Sequence, residues 1–253
     1  MKTALTIAGS DPTGGAGLQL DLKVFKSFGV HGLSVVAALT AQDTQGVDSI
    51  FPVDRDTLEK QLRVLLSDIK PDALKIGMLF SGWAVEVIAD MLEKSALRNL
   101  VIDPVTVSSS GTSLVDEGTL DSIREDLFPL SRMITPNIYE ASVLTGVMIE
   151  DRGGMEKAAQ ILKEMGPEVV LITGGHLDEI AVDLYYDGEF HSVEGHKIKG
   201  EYHGTGCAFS AAVTACLALG NSPLESARKA KEFIHNAIMK AYHPGKGMGL
   251  LHV

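Results

Sequence analysis

The regular alternation of short apolar runs with amphipathic stretches restricts the fold of this 253-residue chain more than any other feature. Six apolar runs predict buried strands, at Ala4–Ala8, Ser34–Thr40, Ala73–Ile76, Leu100–Ile102, Met133–Thr135 and Val169–Thr173. Between these runs, apolar residues recur with helical spacing at Gly17–Phe28, Thr57–Ser67, Gly82–Ser95, Leu120–Leu127 and Met155–Met165. This alternation is typical of βαβ units, so we predict an α/β fold with a mostly parallel central sheet and helices on both faces.

The last third of the chain adds a hairpin and two helices to this pattern. Asp187-Gly188 is a strong turn signal between Ala181–Tyr186 and Glu189–Glu194, and it predicts an antiparallel hairpin. Two closing helices are expected at Cys207–Leu219 and Pro223–Tyr242, the second with proline in its first turn. Because no repeat or flexible linker interrupts the sequence, we expect one domain over residues 1–253.

Composition disfavours several classes of partner. The formal net charge of −11 argues against nucleic acids and anionic membranes, which need a basic surface. No apolar run reaches the roughly 18 residues that span a bilayer. The apolar start is interrupted at Asp11, too early for a signal sequence. Cys207 and Cys216 would lie on opposite faces of one helix and could not bond to each other within it, so we expect a cytoplasmic protein.

The segment His203-Gly204-Thr205-Gly206-Cys207 precedes a buried helix and is a candidate catalytic element. Its glycines leave room for a ligand beside the backbone, and the first N–H groups of the helix have no partners within it. These N–H groups and the helix dipole favour a phosphate, and the same field is expected to lower the pKa of the Cys207 thiol. The alternative is a glycine turn before a packing helix, with Cys207 in the core.

The glycine-rich loop Gly9–Gly17, which follows the first strand, also predicts close approach of a ligand to the backbone. Gly15 stands where a Walker A loop has lysine, and the third glycine of the dinucleotide fingerprint is missing, which disfavours a dehydrogenase. Asp21 shares a helix face with apolar residues. It indicates either a ligand contact or a carboxylate that neighbouring backbone N–H groups satisfy.

Polar side chains at other strand ends indicate two further sites. Gln42 carries both a donor and an acceptor, which suits the edge of an aminopyrimidine, although a residue in this position can also be loop surface. Asp103, Asn137 and Glu140 are oxygen-bearing residues that could hold Mg²⁺ through waters. Asn137 and Glu140 also have the spacing of a helix capping box, and one arrangement could serve both purposes.

Taken in order, these motifs resemble the hydroxymethylpyrimidine and phosphomethylpyrimidine kinases of thiamine biosynthesis, a branch of the ribokinase-like superfamily that includes pyridoxal kinases. The resemblance extends over nearly the whole chain. It rests on Leu5–Gly17, Asp21-Leu22-Lys23, Ala41-Gln42, Lys75-Ile76-Gly77-Met78, Asp103-Pro104-Val105, Thr135-Pro136-Asn137 with Glu140, Gly174-Gly175-His176 and His203–Cys207. It implies a ribokinase-like three-layer α/β/α fold and dependence on ATP and Mg²⁺.

The resemblance also implies a role for each matching residue. Catalytic roles fall on Gly204, Thr205, Gly206 and Cys207. Pyrimidine binding falls on Gly9, Ala16, Asp21, Gln42, Met78 and Val105. Nucleotide binding falls on Asn137, Thr173, Gly175 and His203, and metal binding on Asp103 and Glu140. Two positions depart from the family's pattern: Thr173 stands where relatives often carry lysine, and Thr106 where they often carry methionine.

We therefore predict an enzyme that transfers phosphate from ATP to 4-amino-5-hydroxymethyl-2-methylpyrimidine (hydroxymethylpyrimidine) and to its monophosphate. Its partners are expected to be these small molecules and ATP, without nucleic acid or membrane, and the expected assembly is a homo-oligomer, a dimer. The nearest alternative is a pyridoxal kinase, for which Thr173 is a familiar residue and from which Gln42 would distinguish this chain. A non-catalytic ligand sensor on the same fold is the alternative from another class.

Overall fold

The computed structural model describes residues 1–95, 97–107, 111–174, 180–196, 198 and 200–253. The strands are β1 (Thr3–Ser10), β2 (His31–Gln42), β3 (Val47–Pro52), β4 (Ala73–Ile76), β5 (Leu100–Ile102), β6 (Met133–Ile134), β7 (Val170–Ile172), β8 (Ile180–Tyr186), β9 (Phe190–His196), β10 (Tyr202–His203) and β11 (Gly249–Leu250). The helices are α1 (Gly17–Ser27), α2 (Arg55–Asp68), α3 (Gly82–Glu93), α4 (Thr119–Ser122), α5 (Ile138–Thr145), α6 (Arg152–Glu164), α7 (Thr205–Ala218) and α8 (Pro223–Met239). A π-helical turn, Ile123–Leu127, and a 3-10 turn, Phe128–Leu130, continue α4.

Strands β1 to β9 form one sheet in the order β3-β2-β1-β4-β5-β6-β7-β8-β9. The central strands β2, β1, β4, β5, β6 and β7 run parallel, whereas β3, β8 and β9 are antiparallel to their neighbours. The strand order changes direction at β1, because β2 and β4 lie on its two sides. In open α/β sheets, ligands bind beyond the carboxyl ends of the strands at such a switch point. The topology therefore places a candidate site next to β1 and β4.

The helices form two layers, one on each face of the sheet. Alternate side chains of β1 contribute to both layers: Leu5 and Ile7 belong to the core shared with α2, α3, α5 and α6, and Ala4 to the core shared with α1, α7 and α8. Helix α7 is buried from Ala208 to Ala218, which explains why its sequence is apolar around the whole helix and not along one stripe. This is the predicted three-layer α/β/α arrangement.

The predicted strands and helices are present, with ends that differ by a few residues, and the Asp187-Gly188 hairpin is confirmed. The segment predicted as a helix at Leu120–Leu127 is helical, but it changes to π-helical hydrogen bonding at Ile123. Strand β3 and helix α5 have no counterpart in the sequence prediction. Both cysteines are free thiols. Among the described residues, no helix combines the length and apolar character needed to cross a membrane.

Candidate active site

Two glycine-rich segments pack against each other at the carboxyl edge of the sheet. Gly17 has a φ of +56°, and a Cβ on it would lie 2.4 Å from the carbonyl oxygen of Gly9. Gly204 has a φ of +80°, and a Cβ on it would lie 1.9 Å from the carbonyl oxygen of Gly15. Both positions therefore require glycine, in conformation and in space. The first approach closes the loop before α1, and the second brings the starts of α1 and α7 together.

The start of α7 has the geometry of an anion-binding site. Gly204 is the N-cap and supplies no side-chain cap, so the N–H groups of Thr205, Gly206 and Cys207 have no partner within the helix. A Cβ on Gly206 would meet no heavy atom within 4 Å, so the space beside this turn is open. An oxyanion can therefore reach these donors.

Lys75 and Asp21 form a completely buried ion pair close to this turn. The Lys75 Nζ lies 2.6 Å from Asp21 Oδ1, and the Thr6 hydroxyl donates to Asp21 Oδ2 at 2.6 Å. Burial by itself would lower the pKa of Lys75, but Asp21 and Cys207, together with a further carboxylate, raise it, so the ammonium keeps its charge. Both oxygens of Asp21 are engaged and none of its surface is exposed, and the ligand contact predicted for it stays a prediction.

Cys207 lies between Lys75 and the start of α1. The backbone N–H of Gly17 donates to its sulfur. Burial nevertheless raises the pKa of the thiol to about 12, because the carboxylates of Asp103 and Asp21 add to the effect of burial and the Lys75 charge only partly opposes them. The lowered pKa predicted from the helix dipole is therefore wrong. At neutral pH the resting group is a thiol.

Asp103 follows β5, and Asn137 and Glu140 follow β6. After the ligand that the sequence leads us to expect there, we call these three residues the phosphate end of the site. The Ser210 hydroxyl of α7 donates to Asp103 Oδ2 at 2.9 Å. Backbone N–H groups of Asn137 and Thr106 donate to Glu140. Burial and the neighbouring Asp103 charge raise the pKa of Glu140 to about 8, and burial also raises that of Asp103. The two carboxyl groups therefore ionise together only at a cost, and without a cation beside it Glu140 is mainly protonated at neutral pH.

Asn137 and Glu140 form the predicted capping box at the start of α5. Asn137 Oδ1 accepts from the N–H of Glu140 at 2.9 Å, and Glu140 Oε2 accepts from the N–H of Asn137 at 2.8 Å. Thr173 follows β7, and its backbone pairs with that of Asn137. The capping interpretation is confirmed, and it holds the Glu140 carboxylate in one position beside Asp103.

The backbone after β7 is anchored to the neighbouring strand and to α8. The N–H of Gly174 donates to Asp183 Oδ1 at 3.0 Å, and the Lys231 ammonium donates to the same oxygen at 2.7 Å. A Cβ on Gly174 would lie 2.1 Å from a carbonyl oxygen of β8, so this position also requires glycine. Gly175, predicted to bind the nucleotide, and His176 lie outside the described residues.

Asp11, Gln42 and His203 meet in a second cluster, which we call the pyrimidine end after the ligand that the sequence leads us to expect at Gln42. His203 Nε2 lies 2.9 Å from Asp11 Oδ2 and 2.9 Å from Gln42 Nε2. Asp11 also accepts from Thr13 and from the N–H of Ala16. Burial alone would raise the pKa of Asp11, but the hydrogen bonds from His203 and Thr13 hold it below its ordinary value. His203 therefore lies beside Gln42, and the nucleotide contact predicted for it stays a prediction.

The remaining residues predicted to bind the pyrimidine surround the same switch point. A Cβ on Gly9 would lie 3.0 Å from Met78 Sδ, so the end of β1 and the segment after β4 are in contact. Ala16 is the N-cap of α1. Val105 follows Asp103, to whose carbonyl oxygen its N–H donates at 2.8 Å. The predicted ligand contacts of these residues stay predictions.

Three residues of the site were not among the candidates from sequence: Lys75, Ser210 and Asp11. Lys75 had a readable signal, since a lysine within the buried strand Ala73–Ile76 must have a charged partner. Ser210 stands in an otherwise apolar helix and Asp11 in a glycine loop, where small polar residues are common. Neither residue type identifies its partner.

A three-layer α/β fold with an open helix start and paired carboxylates at its switch point defines a ribokinase-like protein. The structure of the ADP complex of Bacillus subtilis pyridoxal kinase has this architecture. It matches the chain with a TM-score of 0.92 and 39% sequence identity, covering 99% of this chain and 96% of that one.

The sequence comparisons identify the family. Residues 11–252 match the family described as phosphomethylpyrimidine kinase. The hydroxymethylpyrimidine/phosphomethylpyrimidine kinase of Bacillus subtilis strain 168 is 39% identical over 250 residues, which cover 97% of this chain and 92% of the relative. The thiamine biosynthesis bifunctional protein ThiED of Geobacter sulfurreducens is 43% identical over 250 residues, 98% of this chain but 51% of the relative, so the chain spans about half of that protein. The chain belongs to the phosphomethylpyrimidine kinase family.

Proposed function

We propose that the chain transfers the γ-phosphoryl group of ATP to the hydroxymethyl oxygen of hydroxymethylpyrimidine, and that it also phosphorylates the resulting monophosphate. The observation that carries this proposal is the convergence of the α7 N-terminus, the N–H of Gly17 and the Lys75 ammonium at Cys207. One small volume thus offers donors for phosphoryl oxygens and a sulfur that can take a proton. Family membership and the ADP bound by the related pyridoxal kinase support ATP as the donor.

The chemistry depends mainly on positioning and charge. The hydroxymethyl oxygen attacks the γ-phosphorus in line, and the new O–P bond forms as the bond to the β-phosphate oxygen breaks. The N–H groups of Gly204–Cys207 hold the transferring phosphoryl oxygens. The hydroxyl proton passes to Cys207 in its thiolate form, so only the ionised fraction, which Lys75 stabilises, is competent.

Asp103 and Glu140 fit a divalent cation. Both carboxyl groups are buried, and they lie close enough for the charge of Asp103 to raise the pKa of Glu140. Apolar packing would not favour such a pair, whereas a bound cation would stabilise both carboxylates. No group of three or more His, Cys, Asp or Glu side chains suited to a metal occurs among the described residues. We therefore propose that the two carboxylates hold Mg²⁺ together with water and phosphate oxygens. When bound, Mg²⁺ would neutralise the phosphates and cancel the Asp103 charge that disfavours the thiolate.

Gln42 supports the pyrimidine as substrate, since its amide can donate to a ring nitrogen and accept from the adjacent exocyclic amine. The second candidate is a pyridoxal kinase on the same machinery. Two observations favour it: Thr173 stands where lysine is common in the family, and the related structure is that of a pyridoxal kinase. Both activities would use the same phosphate end, and they differ in whether the substrate pairs with both the donor and the acceptor of Gln42.

A coupled ADP-release assay tests the proposal. Purified protein is supplied with ATP and Mg²⁺ and, in parallel, with hydroxymethylpyrimidine, its monophosphate or pyridoxine. We expect ADP release with both pyrimidines at a higher kcat/KM than with pyridoxine. A higher kcat/KM with pyridoxine would establish the pyridoxal kinase. If none of the three compounds caused ADP release, the result would favour the non-catalytic ligand sensor.

A further inference from the structure

The contact between His203 and Gln42 is unusual because His203 Nε2 has two close neighbours of opposite kinds. Asp11 Oδ2, an acceptor, and the Gln42 amide each lie 2.9 Å away. The ring has little room to move. The backbone of His203 pairs with that of Leu250, and the ring packs closely against Gly15, where a Cβ would lie only 2.8 Å from His203 Cδ2. The protonation of Nε2 therefore decides how the amide must lie.

Asp11 determines this protonation. Its Oδ1 accepts from the N–H of Thr13 at 2.8 Å, and its Oδ2 accepts from the Thr13 hydroxyl at 2.9 Å and the N–H of Ala16 at 2.8 Å. A carboxylate with both oxygens accepting is ionised and has no hydrogen to give. The hydrogen between Asp11 and His203 therefore belongs to His203 Nε2.

The other ring nitrogen agrees with this assignment. His203 Nδ1 is buried and has no hydrogen-bond partner among the described residues. A hydrogen on Nδ1 would be a buried donor without an acceptor, an arrangement that folded proteins avoid. With the hydrogen on Nε2, that nitrogen is satisfied and Nδ1 is left only as an unused acceptor, which costs less than a buried donor without an acceptor.

An Nε2–H group cannot accept from an amide N–H, so the Gln42 amide must present its oxygen to His203, and that oxygen shares the one Nε2 hydrogen with Asp11 Oδ2 in a three-centre bond. The two ends of a side-chain amide have nearly the same shape, and the hydrogen-bond network decides which end lies where. The far end of the amide is 3.2 Å from Thr40 Oγ1, whose own hydrogen goes to the carbonyl oxygen of Ser10 at 2.9 Å. Thr40 is thus free to accept from the amide nitrogen.

We propose that His203, held by Asp11, is a positioning residue that fixes the orientation of the Gln42 amide and thereby its selectivity for an aminopyrimidine. This inference rests on the proposed function. With Oε1 toward His203 and the nitrogen toward Thr40, one N–H and one carbonyl lone pair remain for a ligand. A ring nitrogen next to an exocyclic amine uses both. Pyridoxal has no donor next to its ring nitrogen and can use only one.

The direct test is ¹⁵N NMR of the ligand-free protein with labelled histidine, assigned with His203→Gln. We expect Nε2 of His203 to be protonated and Nδ1 to be unprotonated at neutral pH. Protonation on Nδ1 alone would overturn the inference, whatever the substrate proves to be. This readout is independent of the proposed kinase activity.

A double-mutant cycle tests the consequence for selectivity. His203→Leu removes the donor, and we expect it to lower kcat/KM for hydroxymethylpyrimidine by roughly 10- to 100-fold, mainly through KM, with the KM for ATP within twofold of wild type. His203→Gln keeps an N–H donor and should recover most of the loss. In a Gln42→Met background, His203→Leu should have almost no further effect. Equal losses in both backgrounds, or equal losses with hydroxymethylpyrimidine and pyridoxine, would overturn the inference.

Discussion

The two ends of the site differ in how far their charges are already satisfied. At the pyrimidine end, the Asp11 carboxylate accepts from the loop that it caps and from His203, and its pKa lies below the ordinary value. At the phosphate end, burial raises the pKa of Asp103 and Glu140, and Lys75 opposes this only in part at Asp103. At the first end the donors and acceptors are already paired, whereas at the second the two carboxyl groups ionise together only at a cost that a cation would remove.

This difference separates two kinds of recognition within one edge of the sheet. A fixed hydrogen-bond pattern discriminates between heterocycles, because a mismatched ligand leaves buried polar groups unpaired. Buried carboxyl groups that ionise at a cost favour a cation, which we propose arrives with the nucleotide. Lys75 lies between the two ends, paired with Asp21 and close to Cys207. Substitutions at the pyrimidine end, at the phosphate end and at Lys75 should therefore change different properties of the protein.

The largest effect is expected at the ion pair between the ends. Lys75→Met leaves the Asp21 carboxylate buried without its partner and should lower the free energy of unfolding by about 3–5 kcal/mol, measured by chemical denaturation. Adding Asp21→Asn should recover part of the loss, since the uncompensated charge is then removed. Lys229→Met, at an exposed ion pair with Glu225, is the control and should change stability little. A Lys75→Met protein as stable as this control would contradict the account.

Next in size is the effect on catalysis of removing the thiol. Cys207→Ala should fold normally and bind ATP within a few-fold of wild type, because the anion contacts are backbone groups. Its kcat should fall about 100-fold, the lower end of the range for a lost general base. Cys216→Ala is the matched control: this cysteine is buried in the same helix, so its loss should reduce stability and leave kcat unchanged. Near-wild-type kcat for Cys207→Ala would remove the proposed proton acceptor.

Gln42→Met sharpens the comparison because it should damage the pyrimidine end alone. We expect kcat/KM for hydroxymethylpyrimidine to fall by roughly 5- to 150-fold, the equivalent of about 1–3 kcal/mol for unpaired polar groups. The KM for ATP should not change. Gln45→Met makes the same replacement at an exposed loop position and should have no effect on either constant. Equal kcat/KM values for the two variants would show that Gln42 does not contact the pyrimidine.

The pH dependence of Cys207 gives a smaller but decisive signal. Since its pKa is raised to about 12, the thiolate fraction should increase about tenfold per pH unit from pH 7 to pH 10. Alkylation of Cys207 in a Cys216→Ala background should therefore accelerate over this range without reaching a plateau. A plateau at or below pH 8 would restore the lowered pKa that the helix dipole suggests.

The fold could be predicted from sequence because it depends on local periodicity. Strands β4 and β5 are fully buried, and their apolar runs coincide with the observed limits Ala73–Ile76 and Leu100–Ile102. Strand β3 escaped prediction because it is an edge strand with partly or fully exposed residues and no apolar run. Helix α5 is short, and its capping box was the only signal of its start.

The electrostatics of the site could not be predicted in the same way. The spacing around Cys207 indicates a helix start, but not that Asp103 and Asp21 would lie close to the sulfur and raise its pKa. The partners Asp11 and His203 are 192 positions apart, and no local pattern connects them. Sequence named most of the residues that the structure brings together at this edge of the sheet. Their contacts, and hence their charges, required the fold.

The central claim is that the two ends act separately on the heterocycle and on the cation. The direct measurement is the initial rate of ADP release over a matrix of hydroxymethylpyrimidine and Mg²⁺ concentrations, for wild type, Gln42→Met and Glu140→Gln. We expect Gln42→Met to raise only the KM for hydroxymethylpyrimidine. We expect Glu140→Gln to raise only the Mg²⁺ concentration needed for half-maximal rate. Variants that each shift both constants to the same extent, or an unaltered Mg²⁺ curve for Glu140→Gln, would contradict the division of the site.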